Sequence, residues 1–400
     1  MMELNVVETM YFVIGAVCAF LLAYTLTPPV RVLAFKIGAI DVPADDRRMH
    51  TKPIPRIGGL AIFLAFTATT MLLCTPSRSL VTVWIGGAVL VLLGILDDIY
   101  RLPAWPKFIV QLLVAGFAVW NGTIIDHINL GGEYVYLGVV SVPLTILWIA
   151  GLTNAINFID GLDGLSCGIS AISSLSLFCV ILLTGDLTSA LITLVLASAC
   201  LGFLPFNANP ARIFMGDTGA LFLGYTMAVL SVQGVFKLHA VLAFLVPLAI
   251  FALPLCDTLF AIIRRLAAGK SPFAADRGHL HHRLVDLGFT QKESVKILYA
   301  ICAILGLIAV FFTDSMFAEG RFFKTIAIAV IALVIFVANF LIMRNPDCRR
   351  HSGLTEDDLT VAQYKAELAE KRKKKDKSAV SDESALPGKD QDAKNGTREG

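Results

Sequence analysis

The stretch VVSVPLTILWIAGLTNAINFIDGLDGLSCGISAISSLSLFCVILLT (139–184) decides the fold class. It holds two apolar runs, 139–157 and 165–184, each near the roughly 20 residues a helix needs to cross a bilayer. Between them lies a short polar break that carries Asp160 and Asp163. An acid near the bilayer centre costs about 2.5–3.5 kcal/mol on insertion scales, so acids set between two spans are rarely idle. Gly161, Gly164 and Gly168 let the backbone bend there and approach a ligand closely.

Working outward, the same apolar pattern recurs at 8–30, 57–74, 81–96, 108–120, 188–206, 217–236, 239–262, 294–313 and 323–343. With 56% of its 400 residues hydrophobic and 16% charged, the chain is far from a soluble domain. The expected fold class is all-α: a polytopic membrane helical bundle of about eleven transmembrane helices. The first span lacks a basic leader, follows Glu3 and Glu8, and ends at the Thr27-Pro28-Pro29 break without a small-residue cleavage site, so it is expected to remain as an anchor. Gly122–Leu137, with Gly131-Gly132 between alternating residues, reads as a small external β-hairpin.

Basic residues crowd into alternate loops: Lys36, Arg47, Arg48, Lys52 and Arg56; Arg101 and Lys107; Arg212; then Arg264, Arg265, Lys270, Arg277, Arg283 and Lys292. The positive-inside rule makes these loops cytoplasmic, with the N-terminus outside and the C-terminus inside the plasma (inner) membrane. The transmembrane domain is expected over 1–345, followed by a charged, largely disordered cytoplasmic tail over 346–400. The tail's Lys371–Lys375 run reads as a solvated segment or as an attraction to anionic lipid. Eight cysteines show no C-x-x-C spacing and most fall in apolar runs, which points to neither a disulfide framework nor a zinc ribbon.

The unusual polar clusters all fall on the same side of this topology. Asp97-Asp98 close the third span, Asn157, Asp160 and Asp163 join the fifth and sixth, Asp217 opens the eighth, and GHLHHR (278–283) lies in the longest internal loop. Each has a plainer reading: a solvated helix end for Asp97-Asp98, a helix N-cap for Asp217, ordinary loop histidines for His279, His281 and His282. Gathered in one cleft, carboxylates and an Asn suit Mg²⁺, a hard cation that takes oxygen ligands and keeps some positions for water and substrate phosphate. The adjoining basic and imidazole groups suit an anion, so a nucleotide diphosphate would satisfy both halves. No P-loop and no strand-to-helix G-x-G-x-x-G is present, and no nucleic-acid partner is expected.

DVPADDRRMHTKPIPRIGG (41–59), GILDDIYRLPAWPKFIVQ (94–111), NAINFIDGLDGL (154–165), IFMGDTGA (213–220) and GHLHHRLVDLGFT (278–290) resemble, in the family's order, the polyprenyl-phosphate N-acetylhexosamine-1-phosphate transferases. The resemblance spans about residues 10 to 345. Its His-Leu-His-His form looks more like the enzymes that use UDP-N-acetylglucosamine to begin teichoic acid, O-antigen or related glycans than like the phospho-N-acetylmuramoyl-pentapeptide branch. It implies that Asp97 and Asp98 activate or position the lipid phosphate near the metal, and that Asn157, Asp160 and Asp163 form a second polar cluster with catalytic and metal-binding parts. It also implies that Asp217 is the principal Mg²⁺ ligand, with Mn²⁺ as a substitute. By the same resemblance His279, His281, His282 and Arg283 lie over the nucleotide-sugar, Lys107 lines the cleft, and His50 and Arg56 contact substrate from the first internal loop. Ala220 stands where the family commonly has Ser, and Arg48 where it commonly has Lys.

The implied reaction is attack by undecaprenyl phosphate on the β-phosphorus of UDP-N-acetylglucosamine, with UMP leaving. A homodimer is compatible with the sequence but not demanded by it. Two rivals remain at this point. A secondary transporter would be expected to show internal repeats and midplane acids, and a CDP-alcohol phosphatidyltransferase would need a D-G-x2-A-R pattern. Here Asp160-Gly161 is followed by Leu162-Asp163-Gly164-Leu165.

Overall fold

The computed structural model describes residues 5–42, 53–130, 133–235, 244–269, 271 and 278–316. The first helix, α1 (Val6–Ile37), starts at a capping box in which Asn5 and Glu8 satisfy each other's backbone amides. It runs through Pro28 and Pro29 and stops only at Gly38, which takes the left-handed conformation. The expected stop at the prolines is therefore wrong: packing along its neighbours carries the helix across the lost amides. Two short strands, β1 (Ile40–Asp41) and β2 (Ile54–Pro55), pair antiparallel and deliver the chain to α2 (Gly59–Leu73).

Next come α3 (Arg78–Tyr100), capped by Ser77, and α4 (Ala104–Trp120). The expected hairpin follows as β3 (His127–Leu130) and β4 (Glu133–Tyr136), antiparallel with His127 opposite Tyr136 and Leu130 opposite Glu133. A short 3-10 turn leads into α5 (Ser141–Phe158), then α6 (Leu165–Thr184), α7 (Leu187–Asn207) and α8 (Gly216–Gly234). The span expected over 239–262 is broken: α9 (Leu245–Ile250) and α10 (Ala252–Ala267) meet at Phe251, between Pro247 and Pro254. The short α11 (Leu280–Asp286) carries the histidines, and α12 (Gln291–Met316) begins at a Thr290–Glu293 capping box. The eleventh expected span, 323–343, and the charged tail lie outside the described residues.

Six of these helical segments are long and apolar enough to cross a membrane, and two shorter ones, α2 and α4, are also apolar. The chain is a multi-pass membrane protein. At its centre stands α8, buried at every residue from Thr218 to Val232 and packed against α2, α3, α5, α6 and α7. A helix apolar on all sides belongs in such a core. Glycines let its neighbours come close: a Cβ on Gly94 of α3 would strike the Thr218 backbone, and one on Gly59 of α2 would strike Gly219. Both approaches fall at the first turn of α8, where the acids gather.

Candidate active site

Asp97 and Asp98 sit on the last turn of α3 and do different work. Asp97 Oδ1 accepts from the Leu102 amide at 2.7 Å, which closes the turn at Arg101, a residue in the left-handed region (φ 55°). Its Oδ2 meets Lys107 Nζ at 2.5 Å, and the same ammonium lies 3.1 Å from Asp217 Oδ2. Lys107 thus joins two carboxylates from α3 and α8. Asp98 instead reaches across to the start of α8, where no side chain of the helix itself supplies a cap. It accepts from Asp217 N at 3.2 Å, Thr218 N at 3.1 Å and Thr218 Oγ1 at 2.8 Å, with Arg56 Nε 3.4 Å away. The N-cap reading of Asp217 is thereby replaced: Asp98 is the cap, and the Asp217 carboxylate is turned to Lys107.

The loops that hold these groups are laced together by backbone. Phe214 N donates to Pro55 O, Gly58 N to Phe214 O and Gly59 N to Met215 O, at 2.7 to 2.9 Å, so the segment bearing Arg56 is stitched to the entry of α8. Gly216 adopts φ +71°, and any Cβ there would press on the Arg56 carbonyl. Asp160 sits in the α5–α6 loop; desolvation, then the Asp217 carboxylate and the weaker charges of Asp98 and Asp163, push its carboxyl up to about 8 against the opposing pull of Arg56. Asp163 faces elsewhere, accepting from Asn209 Nδ2 at 2.9 Å and Ala211 N at 3.0 Å, so it ties two loops together. Asn209 also reaches Gln291 Oε1 at 2.7 Å, and Tyr299 donates to Gly164 O at 2.5 Å, which anchors the same loop to α12.

The histidines form a column beside that loop. His279 and His281 are buried, with rings nearly parallel (9°) and centroids 5.7 Å apart; the His282 ring lies 4.3 Å from His281. His281 presses against Gly161, where a Cβ would collide with its Nε2. Burial, reinforced by His282 and His279, pulls His281 down to about 4, so near neutral pH it is an uncharged donor and acceptor rather than a cation. Arg283 is exposed on α11. His50 lies outside the described residues.

The profile of glycosyl transferase family 4 matches residues 80–235, from ahead of Asp97 to beyond Asp217. A Bacillus subtilis protein named "Probable undecaprenyl-phosphate N-acetylglucosaminyl 1-phosphate transferase" is 42% identical over 303 residues, covering 74% of this chain and 84% of its own length. The chain belongs to glycosyl transferase family 4. Another similar member is the decaprenyl-phosphate N-acetylglucosaminephosphotransferase of Mycolicibacterium smegmatis, 34% identical across 82% of this chain and 88% of that protein. The undecaprenyl-phosphate α-N-acetylglucosaminyl 1-phosphate transferase of Escherichia coli K12 is 28% identical across 78% and 86%.

In this family 4 chain the predicted site residues divide into two groups. Asp97, Asp98, Asp160, Asp217, Lys107 and Arg56 interact with one another; His281 packs on the loop that bears Asp160, with His279 and His282 against its ring. Asn157 and Asp160 make no side-chain hydrogen bond among the described residues, which leaves their oxygens free to bind. Fully ionised, the four carboxylates would exceed the two cations by two negative charges, a surplus that the raised Asp160 carboxyl reflects, and all the donors are hard oxygens, so they fit a divalent ion such as Mg²⁺. Among the described residues no three His, Cys, Asp or Glu side chains are grouped so as to hold a metal ion by themselves. Sequence reasoning missed Thr218, Asn209 and Asp257. The last had a signal, a lone acid inside an apolar run.

Proposed function

We propose that the chain transfers N-acetylglucosamine 1-phosphate from UDP-N-acetylglucosamine to a polyprenyl phosphate, undecaprenyl phosphate in the first instance, and releases UMP. The observation that carries this is the carboxylate cluster of Asp97, Asp98, Asp160 and Asp217 around Lys107 and Arg56 at one end of a bundle whose relatives are named for that transfer. The site end faces the cytoplasm of the inner membrane, the N-terminus lies outside, and the product opens a cell-envelope glycan of the teichoic acid or O-antigen type.

Asp217, Asn157 and Asp160 would hold Mg²⁺, with Mn²⁺ a substitute, and the ion would neutralise the diphosphate and fix its orientation. Lys107, already shared between Asp97 and Asp217, offers its ammonium to the entering phosphates. Asp97 positions that ammonium, and Asp98 with Arg56 holds the first turn of α8, and so Asp217, in register. The uncharged His281 and its neighbours hydrogen-bond the sugar-nucleotide from the side of the α5–α6 loop. A lipid phosphate oxygen then bonds to the β-phosphorus as the bond to the UMP oxygen breaks. One phosphoanhydride replaces another, so positioning and charge neutralisation are the main demands on the protein.

The test is UMP release by purified protein from a panel of UDP-sugars, with and without polyprenyl phosphate and Mg²⁺. Release should require all three and favour UDP-N-acetylglucosamine. Asp217→Asn should fold normally, lose about 100-fold or more in turnover and shift its Mg²⁺ titration to higher concentration. Substrate uptake without turnover would instead mark a transporter, and an unchanged Mg²⁺ titration would remove Asp217 from the metal.

A further inference from the structure

Asp257 lies on α10, outside every motif that pointed to the site, and is buried. Its Oδ2 is 2.8 Å from His279 Nδ1, and its Oδ1 accepts from the Leu280 amide, also at 2.8 Å. A carboxylate has only acceptors to offer, so the ring nitrogen facing it carries the proton and Nε2 is left on the opposite edge of the imidazole. The ring is held on its faces as well. His281 stacks on it at 9°, and Phe158, at the end of α5, lies 6.1 Å away with the Arg265 guanidinium 5.6 Å over the Phe158 ring. Through His281 the column ends on Gly161, one residue from Asp160.

We infer that Asp257 is a positioning residue for the sugar-nucleotide: by gripping His279 and the first amide of α11 together, it sets the tautomer and the angle of the imidazole column that meets the UDP-sugar, with His279 Nε2 an acceptor for its hydroxyl and N–H donors. This rests on the function proposed above. Side chains that fix a metal-ligating histidine from its far nitrogen govern about 10- to 100-fold of metal affinity or activity, and an effect of the same order is expected for a histidine held this way against substrate. Asp257 makes two bonds to α11 rather than one, so it places the ring and the helix in a single act.

Two measurements on the full-length protein in detergent test it. In the first, ¹⁵N chemical shifts of labelled imidazoles, with His279→Gln to assign the signal, should show His279 protonated at Nδ1 without any substrate. Asp257→Ala should lose that tautomer. In the second, Asp257→Ala should raise KM for UDP-N-acetylglucosamine by about 10- to 100-fold, while KM for polyprenyl phosphate and kcat change far less. Asp257→Asn, which keeps an acceptor oxygen, should recover part of the loss. A merely structural strut would lower the thermal midpoint and depress all kinetic constants together, and that result would overturn the inference. So would an unchanged KM in a folded Asp257→Ala, or a wild-type His279 protonated at Nε2. Wild-type protein that shows the expected tautomer yet neither binds nor turns over UDP-N-acetylglucosamine would overturn the functional reading itself, and the role of Asp257 with it.

Discussion

Asp98 and His281 show how far a residue's chemistry can depart from its formal charge. Asp98 spends its carboxylate on three donors at the start of α8, so Asp98→Ala leaves buried amides unsatisfied and should destabilise the protein by about 2–3 kcal/mol. Thermal unfolding of the purified variant checks this, with Asp98→Asn expected to fall between it and wild type. His281 makes a pH prediction whose sign is fixed by its depressed value. Above the ordinary histidine value of 6.5 the ring is neutral whether folded or not and contributes nothing. As pH falls through 6.5 the unfolded chain takes up a proton that the folded site refuses down to about 4, so stability falls across that window, by about 3 kcal/mol in all. Hydrogen-exchange protection factors over Leu280–Asp286, corrected for the intrinsic pH dependence of exchange, should therefore fall as pH drops from 7.5 to 5, and His281→Gln should flatten that dependence. The acids of the site were legible in the sequence because a carboxylate between apolar runs stands out. Their partners were not: nothing in the spacing says that Asp98 caps α8, that Asp163 serves a loop, or that Asp257 rather than a cleft faces His279.

At the scale of elements, apolar periodicity placed α6 at its observed bounds and α7 within a residue at either end, because each is one uninterrupted apolar run. It failed where local rules and packing conflict. Prolines in α1 suggested a stop that packing overrides, and the run over 239–262 concealed the break at Phe251. The strands β1 and β2 are too short to leave any pattern, yet they deliver Arg56 to Asp98. The contact between α3 and α8 gives the sharpest prediction at this scale. Gly94→Ala puts a methyl group into the Thr218 backbone and should cost about 1–3 kcal/mol while displacing the acids from one another. Gly116→Ala on α4, where a Cβ meets open space, should be neutral or stabilising by up to about 1 kcal/mol. Thermal midpoints of the two variants, read beside their UMP release, separate packing from composition.

For the whole molecule, the alternation of basic and non-basic loops implies which end of the bundle meets the cytoplasm. α3, α5 and α7 end, and α4, α6 and α8 begin, at the acidic end; β3 and β4 join the opposite end of α4 to α5. In a background freed of native cysteines, Arg101→Cys and Leu287→Cys should react with an impermeant thiol reagent only in inverted vesicles. Tyr136→Cys should react in intact cells. Labelling of either of the first two from outside would divide the site between two compartments and end the one-cleft mechanism.

The bond from Asp98 to the start of α8 joins positions 119 residues apart. On a ribosome adding about 5–20 residues each second, roughly 6 to 24 s separate the synthesis of the acid from that of the amides it serves. Through that interval α3 reaches the membrane with its terminal acid unmatched, and such a group is held at the wet surface by its own hydration. Emergence of α8 changes the balance in one step, since the acid gains its donors as the helix gains its cap. A chain cut short before Gly216 thus advertises its incompleteness as an unmatched charge at the membrane edge.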